Sequence, residues 1–306
     1  MATDFVLLKA ECPNANADDP CRIVLLSVKG GCIVSTDEFL INPTHFDWAF
    51  SGLTKEEVSD KPDFPASWKA ICSIIKESPI IVSASEGYDA HVLYNALQKF
   101  GISYSPMKYV NAKALLRKLC NSVSYSIFWL AAEYLNQDVD DTDQCLMARQ
   151  WTELVCMMMA KVDHVSIESF CNDNNIKVGV ITENGLTPSL TKKDYSKRKA
   201  INPAEGVNVT PIEDNPFYGA SVVFTGKLEN FQRIDAQREV VKIGGECPPR
   251  LTMDTDFLVV GNQDLRIVGQ SGLSGKMKNA QKFREKGSII EIINETEFIE
   301  MLQIGK

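Results

Sequence analysis

Histidine and cysteine, the side chains that most often bind zinc or act as nucleophiles, are sparse and irregularly placed in this sequence. The three histidines are His45, His91 and His164, and the nine cysteines include no Cys-x-x-Cys pair. An odd number of scattered cysteines does not indicate a disulfide framework or a zinc site. We therefore expect reduced thiols in a cytoplasmic protein.

Basic side chains form one dense run, KKDYSKRK, at residues 192–199. Such a run can contact nucleic-acid phosphates without sequence preference. It lies in a stretch from Val178 to Pro216 that is rich in Asn, Pro, Thr and Lys and has no sustained hydrophobic period, which is typical of a linker. Two interpretations of the run remain open, a nonspecific contact with phosphates and a solvated linker. The composition favours the linker.

Length and charge limit what the chain can be. At 306 residues it is too long for one ordinary core, so we expect two domains. The net charge is −8, and residues 1–160 contain 20 acidic against 13 basic side chains. This first domain therefore has no basic excess for binding DNA. No apolar run reaches the roughly 18 residues that cross a bilayer, and no signal peptide is predicted.

Hydrophobic periodicity predicts an α/β first domain. Strands are expected at residues 4–9, 21–28, 32–41 and 80–83, with a hairpin turn at residues 29–31. Helices are expected at residues 65–77, 88–100, 111–120, 126–136, 143–160 and 162–174. Strands that come first and helices that are interleaved later predict an α/β sandwich with a mixed sheet.

The segment from Asn42 to Trp68 carries a first family resemblance. It contains Asn-Pro and then FSGLTKEEVSDKPDFPASW, which begins at Phe50. This pattern resembles the DEDDh exonucleases of the proofreading type, whose fold is RNase H-like. The family usually has His-Gly-Ile-Thr here, and Ser51 stands at the histidine position. The resemblance implies an exonuclease-like domain over residues 1–160.

The same resemblance assigns the positions of a metal site, and several of them are altered. The family's Asp-x-Glu at the end of the first strand reads Lys-Ala-Glu here, so Glu11 is kept and Lys9 replaces the aspartate. The aspartate of the second motif is kept as Asp89. In the third motif, His-x-x-x-x-Asp-Ala, Thr142 stands at the position of the general base and Met147 at that of the aspartate.

These replacements change the charge that the site offers to Mg²⁺ or Mn²⁺. The family's four carboxylates hold two cations that activate water for phosphodiester hydrolysis. Glu11, Asp89 and the Lys9 ammonium sum to about −1 in place of about −4, and an ammonium 4 Å from a divalent ion costs about 8 kcal/mol at an effective dielectric of 20. We expect Lys9 to pair with Glu11 or Asp89 in the metal space. The resemblance then implies a degenerate, catalytically inactive domain without a cofactor.

Asp143 leaves an alternative open. It lies one helical turn before the lost aspartate position and could complete a metal set with Glu11 and Asp89. Residues 141–143 also suit the N-terminus of a helix, where their side chains would cap it and interact favourably with its dipole. We favour the capping interpretation.

The C-terminal part carries a second resemblance. It reads VVFTGKL at residues 222–228, AQREVVKIGGE at 236–246 and DFLVVGN at 256–262. This order resembles a BRCT domain, and most closely the BRCT module of bacterial NAD-dependent DNA ligases and of bacterial exonuclease–BRCT proteins. The resemblance implies a small domain over residues 216–306 with a four-stranded parallel sheet, joined to the first by a helix and linker at 161–215.

Residues of this second domain match a phosphate-binding pattern. In phosphopeptide-binding BRCT domains, a Ser or Thr hydroxyl, the next glycine amide and a lysine of the second helix bind phosphate, and Thr225, Gly226 and Lys276 occupy those positions. Such donors near a helix start suit one anion. Thr-Gly equally suits a plain turn. The basic helix from Lys276 to Lys286 suits a solvated face or a DNA end.

Together the resemblances predict a non-catalytic binding or scaffold protein of DNA repair or replication. It would bind a protein partner or a DNA end through the BRCT domain, and nucleic acid could enter the exonuclease-like groove. The alternative is an active metal-dependent 3′–5′ exonuclease that acts on DNA or RNA and is recruited by its BRCT domain. No membrane association is expected.

Overall fold

A computed structural model describes residues 4–14, 16–47, 49, 51–122, 124–162, 166–191, 208–261 and 275–305. The chain divides into two compact units, one of residues 1–121 and 127–192 and the other of residues 122–126 and 193–306. The predicted basic run at 192–199 lies outside the described residues, as does His164. Within the described part, no helix is both long enough and apolar enough to span a membrane.

The first unit is built on a mixed sheet, which confirms the predicted α/β class. Its strands are β1 (Phe5–Glu11), β2 (Arg22–Lys29), β3 (Cys32–Leu40), β4 (Ile81–Ser83), β5 (Met107–Asn111), β7 (Gly179–Thr182) and β8 (Gly185–Thr187). Their order is β3-β2-β1-β4-β5-β7-β8, and β6 (Ile176–Lys177) pairs separately with β9 (Leu190–Thr191). The β1–β4 and β4–β5 pairs are parallel, and the other neighbours are antiparallel.

Strand β1 lies inside the sheet, and all seven of its residues are buried. A strand covered on both faces reads as a continuous apolar run. Phe5 to Leu8 follow this rule, but Lys9 and Glu11 break it while remaining only 6% and 4% exposed. Two buried charges at the end of a central strand need partners close by.

The helices of the first unit agree well with the predicted ones. They are α1 (Lys55–Val58), α2 (Phe64–Lys76), α3 (Tyr88–Lys99), α4 (Ala112–Leu119), α5 (Ile127–Leu130), α6 (Gln144–Met159) and α7 (Ile167–Asp173). The helix expected at residues 126–136 is instead α5 followed directly by a π-helical segment, Ala131–Leu135.

Helix α2 shows why the core forms where it does. Asp63 caps its N-terminus and Pro65 follows in the first turn, so the helix starts sharply. Its apolar face buries Trp68, Ile71 and Ile75 in the core that it shares with β1 and α3. Burial of each such side chain contributes about 1.5–3 kcal/mol, which holds the helix against the sheet.

The linker predicted from Val178 is wrong for residues 179–191, where the structure has strands β7, β8 and β9. Strand β7 pairs with β5, and β8 pairs with β7. Gly179 allows the close approach, since a Cβ there would lie 2.3 Å from the ring of Tyr109. Strands of two to four residues are too short to show the alternation on which sequence prediction depends.

The second unit contains a parallel sheet of three described strands, β10 (Val222–Thr225), β11 (Phe257–Val260) and β12 (Glu291–Asn294), in that order. Its helices are α8 (Arg233–Ile243), α9 (Gly275–Glu285) and α10 (Glu295–Gln303). In place of the fourth strand of the expected sheet, a single parallel bridge joins Ser221 and Glu246. Pro248 and Pro249 lack the N–H groups that would extend the bridge into a ladder.

Phe298 of α10 is the centre of this second core. It is fully buried, and its ring packs against those of Phe217, Phe224 and Phe231 at centroid distances of 5.3, 5.3 and 6.1 Å. Aromatic pairs of this kind contribute about 0.5–1.5 kcal/mol beyond the area they bury. The cluster ties α10 to β10 and to the segment that precedes α8.

Candidate functional site

Lys9 and Asp89 meet at the carboxyl edge of the central strands. β1 and β4 run parallel, so their ends lie at the same edge of the sheet, and α3 begins just after β4. Asp89 is the second residue of α3. The Lys9 Nζ lies 3.7 Å from Asp89 Oδ1, and the two side chains are 7% and 0% exposed. The Lys9 ammonium, at a position where the resemblance expects a carboxylate, thus forms an ion pair with Asp89.

The carboxylate of Asp89 is also saturated with hydrogen bonds. Oδ1 accepts the backbone N–H of Ala10 at 2.8 Å. Oδ2 accepts the Ser83 hydroxyl at 3.1 Å, and the N–H and hydroxyl of Ser85 at 3.1 and 3.3 Å. A carboxylate offers about four lone-pair sites. With four donors in place, Asp89 has little capacity left for a metal ion.

Glu11 is also bound by neighbouring side chains, Ser51 and Arg22, whose contacts with it were not predicted from the sequence. Ser51 donates its N–H to Oε1 and its hydroxyl to Oε2, each at 2.8 Å. Arg22, the cross-strand neighbour of Glu11 in β2, lies 3.8 Å from Oε2. The sequence feature that could have identified Arg22 as a partner of a buried carboxylate is its position as a cation at the start of an otherwise apolar strand.

The third motif position supplies no ligand near this pair. Thr142 is exposed and its hydroxyl donates to Asp140 at 2.6 Å. Met147 is buried, and its thioether is a poor ligand for the hard cations Mg²⁺ and Mn²⁺. Asp143 is the N-cap of α6, where its Oδ1 accepts the N–H of Leu146 at 2.9 Å.

The two histidines in the described ranges, His45 and His91, make contacts elsewhere. His91 is buried, and its Nδ1 lies 3.0 Å from the Gly87 carbonyl oxygen of its own helix. His45 is exposed and pairs with Asp47 at 2.8 Å. Neither ring is bonded to Glu11 in the described structure.

The residues present do not fit the pair of divalent cations that the exonuclease resemblance implies. Within the described ranges, no three or more His, Cys, Asp or Glu side chains are grouped so that they could hold a metal ion. The ammonium of Lys9 lies beside Asp89, and the donors on both carboxylates compete for the oxygens that a metal would need. This edge of the sheet is therefore built as a paired charge cluster.

A second cluster forms at the carboxyl edge of the other sheet, where the three predicted phosphate-binding residues come together. Thr225 ends β10, and Gly226 follows with a positive φ of 77°. Lys276, in the first turn of α9, donates its Nζ to the carbonyl oxygen of Phe224 at 2.8 Å. The lysine is therefore anchored one residue before Thr225.

Arg233 is an additional cation at this edge that the sequence analysis missed. Its Nη2 donates to the Gly226 carbonyl oxygen at 2.5 Å. Burial, and secondarily the positive charge of Arg233, lower the pKa of Lys276. Two cations that repel each other in this way favour an anion between or beside them. The sequence feature that could have identified Arg233 as part of this cluster is its position at the start of α8.

Glu295 fixes the loop between Gly226 and Arg233. Its buried carboxylate accepts the N–H groups of Glu229 and Asn230 at 2.6 and 2.7 Å. Charge-assisted bonds to backbone N–H groups are short and strong. The loop that carries the Gly226 carbonyl is thereby held to the start of α10.

Comparison with known proteins identifies the second unit. Residues 213–302 match the model of the BRCA1 C Terminus (BRCT) domain, so this segment is a BRCT domain. The chain is 34% identical over 101 residues to a DNA ligase of Fervidobacterium nodosum. This alignment covers 32% of this chain and 13% of the ligase. It is also 25% identical over 204 residues to a DNA ligase of Fusobacterium nucleatum. That alignment covers 62% of this chain and 26% of the ligase. The chain thus spans about an eighth to a quarter of these relatives.

A solved structure, exonuclease X in complex with 5′ overhanging duplex DNA, is similar to part of this chain at 16% identity. The likeness covers 55% of this chain and 98% of that chain, with a TM-score of 0.38.

Proposed function

We propose that this chain is a non-catalytic binding or scaffold protein of DNA repair or replication. Its BRCT domain is the interaction module, and its exonuclease-like domain does not hydrolyse nucleic acid. The observation that carries the proposal is the buried ion pair of Lys9 and Asp89, 3.7 Å apart, where the resemblance places a metal ion. The BRCT match and the similarity to DNA ligases support the DNA-processing context.

Metal binding at this cluster would be strongly unfavourable. An ammonium about 4 Å from a divalent ion contributes about 8 kcal/mol of repulsion at an effective dielectric of 20. A metal would also displace donors from Asp89 and Glu11, and those donors are themselves buried. Leaving a buried donor without a partner costs about 1–3 kcal/mol.

The first prediction is that the full chain neither binds Mn²⁺ at this cluster nor degrades nucleic acid. Calorimetric titration with Mn²⁺ should give no saturable heat. Single-stranded DNA and RNA labelled at the 5′ end should stay intact with Mg²⁺ or Mn²⁺, since Lys9 stands at a metal-ligand position and Thr142 at the general-base position of the resemblance. Turnover that Asp89→Ala abolishes would contradict the proposal and would establish an active exonuclease.

A matched pair of variants checks that the titration can detect a site. Lys9→Asp with Met147→Asp restores two carboxylates at the positions assigned by the resemblance, and Lys9→Asn with Met147→Asn has the same shapes without the charge. Saturable Mn²⁺ heat is expected only from the aspartate variant. Equal heats from both pairs would mean that the signal comes from elsewhere in the protein.

We further propose that the BRCT domain binds a terminal phosphate through Thr225, Gly226 and Lys276, together with Arg233. Support comes from the convergence of Lys276 and Arg233 on carbonyl groups at the two sides of Thr225. Cations and a backbone N–H at one loop favour a phosphate over a neutral ligand. The phosphate would be that of a phosphorylated peptide or of a DNA end.

The second prediction concerns this phosphate site. Fluorescence anisotropy should show tighter binding of a 5′-phosphorylated DNA duplex, or of a phosphoserine peptide, than of its unphosphorylated counterpart. Lys276→Ala and Arg233→Ala should each weaken binding about tenfold or more, since each removes a charge-assisted contact of about 1.5–3 kcal/mol. Lys282→Ala, an exposed lysine of the same helix, is the matched control. Unchanged affinity in Lys276→Ala would reject the site.

A further inference from the structure

We propose that a pocket at the amino edge of β4 and β5 binds an acidic segment of a protein partner through one large apolar side chain. The pocket lies in the first unit and is lined by the first residues of both strands, Ile81 and Met107. Lys9, near the end of β1, and Asp89, at the start of α3, lie at the opposite, carboxyl edge of the sheet. The two surfaces are therefore separate, and this inference does not depend on whether the domain is catalytic.

Most of the residues that line the pocket are apolar. The last turns of α2 contribute Ile75 and the loop to β4 contributes Ile80, and both are buried. The ring of Tyr104 forms part of the opposite side with Met107. The cavity is about 250 Å³, below the roughly 300–1,000 Å³ that is typical of sites for drug-sized ligands. It suits one aromatic or long aliphatic side chain, as in the anchor pockets of protein interfaces.

The pocket is held in shape before any ligand arrives. The Tyr104 hydroxyl donates to the Thr182 carbonyl oxygen at 2.8 Å, and the Tyr104 N–H donates to Glu183 Oε1 at 3.0 Å. Pro79 and Pro106 lie in the two loops that form the rim, and each fixes its own φ near −65°. A preformed wall lowers the ordering cost of binding.

The charge of the lining selects an acidic partner. Lys76 and Lys108 line the pocket and no Asp or Glu does, although residues 1–160 carry an excess of seven acidic side chains. Lys108 pairs with Glu168 at 2.7 Å. Among the described residues, no carboxylate forms an ion pair with Lys76, which is exposed at the end of α2. A cation beside an apolar cavity complements a carboxylate that flanks an apolar side chain.

The test is a binding assay with a defined peptide and the full chain. The probe is a fluorescein-labelled peptide with a central tryptophan and three glutamates on each side, followed by anisotropy. Exchange of the tryptophan for alanine should weaken binding about tenfold or more, because the anchor is lost. Lys76→Glu should weaken binding by a similar factor, since the charge at the rim is reversed.

Lys69→Glu is the matched control, because Lys69 is an exposed lysine two turns earlier on α2 and does not line the pocket. It should bind the peptide like the unmodified chain, and circular dichroism should show all variants folded. Equal losses in the Lys69 and Lys76 variants would overturn the proposal, as would equal affinity of the tryptophan and alanine peptides or no binding of either. Displacement of the peptide by single-stranded DNA, lost in Lys76→Glu, would assign the pocket to nucleic acid and would equally overturn it.

Discussion

Lys9 and Asp89 are both buried, so removal of either charge leaves the other in a poorly solvated environment. Removing one partner of a buried ion pair typically costs about 3–5 kcal/mol. Asp89→Ala should destabilise by about this amount, because it orphans the ammonium of Lys9 and four hydrogen-bond donors. Lys9→Met should cost less, since Asp89 keeps its hydrogen bonds. Urea unfolding followed by circular dichroism measures both.

The exposed surface pair of Asp60 and Lys61 provides the control for this comparison. Asp60→Ala should leave the unfolding midpoint unchanged, since exposed ion pairs contribute little. A Lys9→Met variant less stable than Asp89→Ala would mean that Lys9 holds the cluster together by contacts other than this pair.

Phosphate binding by the BRCT domain should depend on pH through Lys276. Its pKa is lowered by burial and by the charge of Arg233, so its ammonium loses its proton at a lower pH than an ordinary lysine. Affinity for a phosphorylated DNA end should therefore begin to fall at a less alkaline pH than in the Lys276→Arg variant, whose guanidinium stays charged. Anisotropy titrations across the alkaline range test this, and identical pH profiles of the two proteins would exclude Lys276 from the site.

At the residue scale, the sequence predicted side-chain contacts between residues that belong to family motifs. It did not predict contacts that depend on how distant segments of the chain are paired. The proximity of Lys9 and Asp89 followed from the family motifs. The contacts of Ser51 and Arg22 with Glu11 did not, because the connection from β1 to β2 is long and does not reveal which residues face each other.

At the scale of elements, Asp143 shows how a candidate ligand can instead be a structural cap. Asp143→Ala should destabilise the first unit by about 1 kcal/mol, because the N-cap side chain satisfies the N–H of Leu146. Asp141→Ala is the control, since Asp141 is exposed and lies just outside α6. Urea unfolding compares them, and equal stabilities would show that the cap is unimportant.

Helices α2, α3 and α6 were predictable because each is long enough to show its period. The strands in residues 179–191 were not, since each has two to four residues and depends on a partner far away in sequence. The fourth BRCT strand was overestimated for a local reason, the proline pair at residues 248–249. Tertiary contacts decided the short strands β7, β8 and β9.

Over the whole molecule, cysteine reactivity reports how much of the chain is packed. Of the nine free cysteines only Cys32 is exposed, and burial raises the pKa of Cys12, Cys171 and Cys247 to about 12. A raised thiol pKa leaves little reactive thiolate at pH 8. Ellman's reagent should therefore modify one thiol quickly in the native protein and all nine in denaturant. Cys32→Ser should remove the fast phase, and its persistence would mean that a buried thiol opens readily.

The ion pair between Lys9 of β1 and Asp89 of α3 has a consequence for how the protein responds to its surroundings. A bound divalent ion exchanges with the medium, so chelators can strip it and its occupancy follows its concentration. The positive charge beside Asp89 belongs to the polypeptide itself and has no dissociation equilibrium of that kind. The first unit should therefore keep the same melting temperature in EDTA and in millimolar magnesium.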